Sequence, residues 1–242
     1  MMLEQERNHS EDISETTPSE ISEYHRSFCR TFSDTPPVFV PVIEDTHGLY
    51  GWCCDGVSEK IKSDEGEHAF GWTIWEWPNV LLTAEFHDVW KSPDGVLYDI
   101  TPKPNGEQQI LFVHDATFHQ DFNFDHRPRN KRVRTYTSQS TDEIVLEKIA
   151  QMSQSQRAYE EKRAIKNSLS LEDWIAEKLD DDPMPGLIDD MIAICNEHEK
   201  HFDSLGASGH VQADQKLLKL MEKRLKTQNR LKAALARTQT AP

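Results

Sequence analysis

No stretch of this chain approaches the roughly 18 uninterrupted apolar residues that a membrane-spanning helix needs, which excludes an apolar transmembrane helix. The opening MMLEQERNHSEDISETTPSEIS has neither a basic start nor an apolar middle, so it reads as neither a secretory signal nor a transit peptide, and a cytoplasmic location is expected. Cysteine is scarce: with only four and no export signal, a disulfide framework is not expected, and each thiol must be explained as packing, metal ligand or nucleophile. No paired CxxC spacing of the structural zinc type occurs. Cys195, His198 and His201 fall at intervals of three, but residues six apart on a helix are not neighbours, so one helix cannot aim all three at one ion. His114 and His119 are loosely spaced with no thiol nearby in sequence. Neither a metal nor another cofactor is expected. Apolar side chains are also few, 36% against 29% charged, so part of the chain must lie outside any packed core.

What is there is strongly segmented by charge. The total of −15 hides alternating signs: residues 1–34 carry −5, 35–125 carry −12, 126–141 carry +5, 142–210 carry −9 and 211–242 carry +6. Five organisational units follow: a disordered acidic tail at 1–35, an α+β core domain at 36–125, a basic linker at 126–141, a helical extension at 142–205 and a basic amphipathic helix at 211–237. Five of the six tryptophans fall in the core unit.

Within it, Val38 to Ile43 reads as a short strand with prolines at its edges, followed by a turn from Gly48 to Trp52. Val57 and Ile61 recur at helical spacing beside Cys53 and Cys54, predicting a short helix from Cys53 to Lys62, weakened by about 1 kcal/mol at Gly56. Phe70 to Trp77, Val80 to Trp90 and Val96 to Thr101 alternate as strands, with Pro78-Asn79 and Pro93-Asp94-Gly95 as turns, predicting an antiparallel meander; Gln109 to Val113 can add another strand. After Asp125 the period becomes 3.6. Helices are predicted from Asp142 to about Lys166, after a Ser170 cap, from Pro183 through Cys195, and from Val211 to Arg237.

A nucleophilic cysteine must present its thiolate, and a helix N-terminus favours that charge because its unpaired N–H groups carry partial positive charge. Cys53 and Cys54 sit at such a point, and the same N–H groups, or Trp52, can serve as oxyanion donors. A base must reach the sulfur and a third group must orient the base. A three-residue loop at Pro93, Asp94 and Gly95 makes Ser92 face Val96 and Val89 face Asp99, which puts His87 and Asp99 on one side of the sheet as diagonal neighbours about 7 to 8 Å apart. A two-residue loop would put them on opposite sides. Cys54 is the favoured nucleophile, because Asp55-Gly56-Val57 begins the helix directly beneath it; Cys53 is the alternative.

The order of a helix-starting Cys54, His87 within EFHDVW and Asp99 within DGVLYDITP resembles the transglutaminase-like branch of the papain-like cysteine fold, over roughly residues 47–103. The run from GWTIWEWP to DITP is also similar to uncharacterised bacterial sequences. The resemblance implies an α+β fold in which a short nucleophile-bearing helix packs on an antiparallel sheet. It implies acyl transfer through a thioester: Cys54 attacks an amide or ester carbonyl, His87 takes and returns the proton, and Asp99 fixes the imidazole tautomer. The sequence departs from the family in having two adjacent cysteines and no glutamine before them.

The alternative is a non-enzymatic protein-binding module on the same fold, its cysteine merely packed. Trp72, Trp75 and Trp77 are expected in the core or as a cleft wall. The basic run His126 to Arg134 lacks interleaved aromatics and faces an acidic body, so it is expected to dock within the chain or on a protein and not on nucleic acid. The leucine-striped terminal helix suits self-association or a protein partner. Expected partners are therefore a protein or peptide substrate or binding protein, with neither nucleic acid nor membrane.

Overall fold

The computed structural model describes residues 15–103, 105–206 and 212–239; residues 1–14 of the expected tail and 207–211, which include the expected start of the last helix, lie outside them. The described chain is α+β, with an antiparallel six-stranded sheet and seven α-helices. Helix α1 is Glu23–Cys29, β1 Val38–Pro41, α2 Cys53–Asp64, β2 Glu67–Trp77, β3 Leu81–Lys91, β4 Leu97–Tyr98, β5 Gln109–His114 and β6 Lys131–Arg134. Five helices follow: α3 Thr141–Gln151, α4 Gln154–Lys166, α5 Leu171–Ala176, α6 Met184–Ser204 and α7 Gln215–Gln239.

The strand order is β1-β5-β2-β3-β4, with β6 also paired to β3. The β2–β3 hairpin aligns Trp77 with Leu81 and Glu67 with Lys91. The predicted meander is therefore confined to β2, β3 and β4, because β5 returns to lie between β1 and β2. β5 is apolar from Ile110 to Val113 and buried throughout that run, as a strand covered on both faces should be. Strand β4 is shorter than predicted: after Tyr98 the chain turns to β1, where Asp99 N–H donates to Pro41 O and Ile43 N–H donates to Asp99 O, both at 2.9 Å.

One face of the sheet buries Phe70, Trp72, Ile74, Leu82, Ala84 and Phe86. It is covered by α1, through Phe28 and Cys29, and by the aromatic segment Phe118, Phe122 and Phe124. Residues 15–35 are thus not the loose tail expected from their composition; Phe28 and Phe32 stand one helical turn apart and find the sheet, and Thr16 exchanges two backbone hydrogen bonds with Glu76. The other face buries Val40, Ala69, Val89, Ile110 and Phe112.

The predicted helix over 142–166 is two helices, because Ser153 starts a new one by accepting a hydrogen bond from Gln156 N–H. Helices α3 and α5 pack around Val145, Ile149 and Ile175, while α6 and α7 clasp the β2–β3 turn through Met184, Ile188, Leu231, Trp77 and Leu81. The basic segment, expected as a linker, contains β6 and is clamped onto acidic α6: Arg127 to Asp203 at 3.2 Å, Arg132 to Glu199 at 3.0 Å and Arg134 to Asp189 at 2.8 Å. The alternating charge of the segments is thus matched inside the chain.

Candidate active site

Helix α2 opens directly on the two cysteines. Its N-cap, Trp52, makes no side-chain cap, and the Trp52 N–H already donates to Leu49 O at 3.1 Å. The first-turn N–H groups of Cys53, Cys54 and Asp55 have no helical carbonyl to bind, and Trp52 lines the same cleft as the two cysteines. Gly56 has a reason to be glycine: a Cβ there would come within 2.7 Å of His47 O, so the 45–48 loop can lie against the helix only without a side chain. Lys60 ties that loop down through Asp45 at 2.7 Å.

On its outer edge β3 is paired to β6 over Leu81–Ala84 and to β4 over Trp90–Lys91, which leaves Glu85 to Val89 without a strand partner on that side. Helix α2 packs against β3, and because strand side chains alternate, its two cysteines meet different neighbours. Cys53 lies close enough to His87 to act on its charge, whereas Cys54 faces Asp88.

His87 Nε2 lies 3.0 Å from Asp99 Oδ2, and both side chains are buried. The predicted loop register is present: Ser92 N–H donates to Val96 O at 2.9 Å and Trp90 pairs with Tyr98. Asp99 Oδ1 accepts the Thr101 N–H at 2.9 Å, and Lys103 Nζ reaches Asp99 Oδ2 at 2.5 Å and His87 Nε2 at 3.3 Å. Burial and the neighbouring Lys103 ammonium oppose charge on His87, but the charge and hydrogen bond of Asp99, with Cys53 acting in the same direction, raise the imidazole to about 10. Burial likewise opposes the Asp99 charge, yet His87 and Lys103 hold this carboxyl well below the usual range. With Nε2 turned to Asp99, Nδ1 is the ring nitrogen left for a thiol.

Cys54, the favoured nucleophile of the sequence reading, is grouped with His68 and Asp88. Burial and the Asp88 carboxylate push its thiol up to about 12, so it stays protonated at neutral pH. His68 Nδ1 lies 2.6 Å from Asp88 Oδ2. His68, Asp88 and Lys103 were not picked out by sequence reasoning. A signal existed for two of them: a three-residue loop at Pro78, Asn79 and Val80 pairs Phe70 with Asp88 and His68 with Trp90, which puts His68 and Asp88 on one face.

A cleft of about 1,260 Å³ joins these parts, lined by Cys53, Cys54, His87 and Lys103 on the core side and by His198 and Arg224 on the helical side. Trp72 and Trp77 are core, whereas Trp75 is a cleft wall whose Nε1 donates to Glu85 at 2.8 Å. Cys195 and His198 share the cleft rim, while His201 pairs with Asp214 at 2.9 Å. Among the described residues no helix is long and apolar enough to cross a membrane. No family model, curated protein or solved structure matches the chain, so the reading of this cleft rests on its own chemistry.

Proposed function

We propose that this protein is a cysteine-dependent hydrolase or acyltransferase acting on an amide or ester through a thioester, with Cys53 as nucleophile, His87 as proton carrier and Asp99 as the group that orients it. The observation that carries this reading is the hydrogen-bonded His87–Asp99 pair in the same cleft as the cysteine-bearing end of α2. The order of helix-borne thiol, β3 histidine and aspartate after β4 supports a transglutaminase-like arrangement of the fold.

When Cys53 gives its proton to His87, the Asp99 carboxylate stabilises the charged ring. The sulfur lone pair forms the S–C bond and the carbonyl π pair moves onto oxygen, where the first-turn N–H groups of α2 stabilise it. Collapse re-forms the carbonyl, breaks the bond to the leaving nitrogen or oxygen, and His87 gives that atom its proton. Water or an amine then attacks the thioester, loses a proton to His87 and releases the sulfur. Hydrolysis and transfer differ only in which of these two arrives.

The test is acylation by an activated acyl ester, read as a burst and mapped by peptide mass. The wild type should take one acyl group on Cys53, Cys54→Ala should keep it, Cys53→Ala should lose it, and His87→Ala should slow it by about 10²-fold or more. An undiminished burst in Cys53→Ala overturns the assignment. A protein partner or second copy is supported by one further observation: Leu218, Met221 and Leu225 stand exposed on α7 while Leu217, Leu220 and Leu231 are buried. Sedimentation of the wild type against a Leu218→Ser, Met221→Ser, Leu225→Ser variant tests self-association; identical monomeric profiles would exclude it.

A further inference from the structure

We propose that Cys54, His68 and Asp88 form a binding site for one zinc-class divalent ion, separate in its ligands from the Cys53–His87–Asp99 machinery. Three elements converge there: the thiol comes from the first turn of α2, the imidazole from β2 and the carboxylate from β3. One ligand atom from each lies within 4.8 Å of the other two, close enough for small rotations of Cys54 and His68 to seat a single ion between them.

An independent feature points to a missing cation. Asp88 is fully buried, and its Oδ1 has no hydrogen-bond partner. A buried carboxylate oxygen without a hydrogen-bond partner is unusual, because most buried polar atoms are paired. Oδ2 is taken by His68 at 2.6 Å, and the Cys54 thiol, which also hydrogen-bonds this carboxyl, becomes a second anion if it ionises. A cation reconciles the three: it takes the carboxylate charge, stabilises a thiolate that burial otherwise forbids, and accepts the imidazole lone pair.

The donor set selects the kind of ion. Sulfur and nitrogen ligands disfavour calcium and magnesium, whereas thiolate, imidazole and carboxylate together suit zinc, which binds them at about 2.3, 2.0–2.1 and 2.0–2.2 Å. Three protein ligands leave a fourth position for water. Binding releases the Cys54 proton to solvent, so the step conserves charge as one divalent ion in and at least one proton out.

The surroundings hold the ligands in place. Phe70 stacks on the His68 ring at 5.2 Å with planes 5° apart, and Gln120 accepts the His68 N–H at 2.8 Å and donates to its carbonyl at 2.7 Å. Ser58 Oγ, 3.5 Å from His68 Nε2, donates to Cys54 O at 2.8 Å, which links histidine and thiol through a second set of contacts. Entry is open from two sides, since Cys54 lines the large cleft and His68 a groove of about 460 Å³. A bound ion would pin the turn that carries Cys53 onto β2 and β3.

The experiment uses the full chain stripped with chelator, then titrated with Co²⁺ and, in competition with a chromophoric chelator, with Zn²⁺. Expected are one ion per chain and a thiolate-to-cobalt charge-transfer band. Cys54→Ser, His68→Gln and Asp88→Asn should each weaken Zn²⁺ binding by about 10-fold or more, while Cys53→Ala and His87→Gln leave it unchanged. Stoichiometric binding that Cys54→Ser leaves intact overturns the proposal. A wild-type cobalt spectrum without the charge-transfer band does so without recourse to any variant. Cys53→Ala separates this inference from the proposed function, because it should abolish acylation while retaining the ion.

Discussion

His87 and Asp88 are consecutive in β3 and take their partners on opposite sides of the strand: His87 pairs with Asp99 beyond β4, Asp88 with His68 on β2. The adjacent cysteines at the start of α2 divide in the same way, Cys53 acting on His87 and Cys54 on Asp88. Two imidazole–carboxylate pairs, each with a cysteine of α2 in its neighbourhood, are thus built from neighbouring residues by the alternation of one strand.

The first prediction concerns thiol reactivity. Cys54, pushed up to about 12, should resist alkylation in the folded protein at neutral pH, whereas Cys53 should react fastest of the four. Peptide mapping after brief iodoacetamide treatment reads this directly, and label found first on Cys54 would contradict it.

The buried imidazole makes stability depend on pH. The folded-state value for His87 is raised to about 10, above the 6.5 of an unperturbed histidine, so the folded chain binds the extra proton between those values. Its contribution is fully present below about pH 6.5 and is lost as pH rises through about 10. The gap in urea midpoint between wild type and His87→Gln should therefore narrow from pH 6.5 to pH 10; a gap that widens would reverse the sign.

Gly56→Ala should destabilise, against the ordinary helical trend. Alanine is favoured over glycine inside a helix by about 1 kcal/mol, but here its Cβ would meet His47 O at 2.7 Å, and a strain of ~1 to 3 kcal/mol should outweigh that gain, for a net loss of up to ~2 kcal/mol. Equilibrium urea unfolding measures it, and a raised midpoint would show that the 45–48 loop yields easily.

Arg132 is the best buried member of the clamp between β6 and α6, bonded to Glu199 at 3.0 Å and Asn196 at 2.6 Å. Arg132→Ala should cost about 1.5 to 3 kcal/mol, the range for hydrogen bonds to charged groups, and speed hydrogen exchange in α6 before the β2–β3 hairpin. Unchanged α6 protection would mean that the Met184, Ile188 and Leu231 contacts hold the helix alone.

Local chemistry was legible in the residues themselves. Pro93-Asp94-Gly95 specifies a three-residue loop, the loop specifies Ser92 opposite Val96, and that register places His87 and Asp99 on one side. The Ser170 cap and the Pro183-to-Pro185 helix start are equally short-range, each set by hydrogen bonds or fixed φ within a few residues. The insertion of β5 between β1 and β2, the pairing of β6 with β3 and the docking of α1 were not legible, because each depends on apolar surfaces that meet only after distant segments collapse.

The division of the two cysteines belongs to the same class. Sequence alone determined that thiols stand at a helix start and that a histidine and an aspartate share a sheet face. Which sulfur meets which imidazole depends on the rotation of α2 about its axis relative to the open edge of β3. That rotation is set by the close approach of Gly56 to His47 and by Val57 packing with Trp90 and Ile100, contacts that exist only in the folded chain.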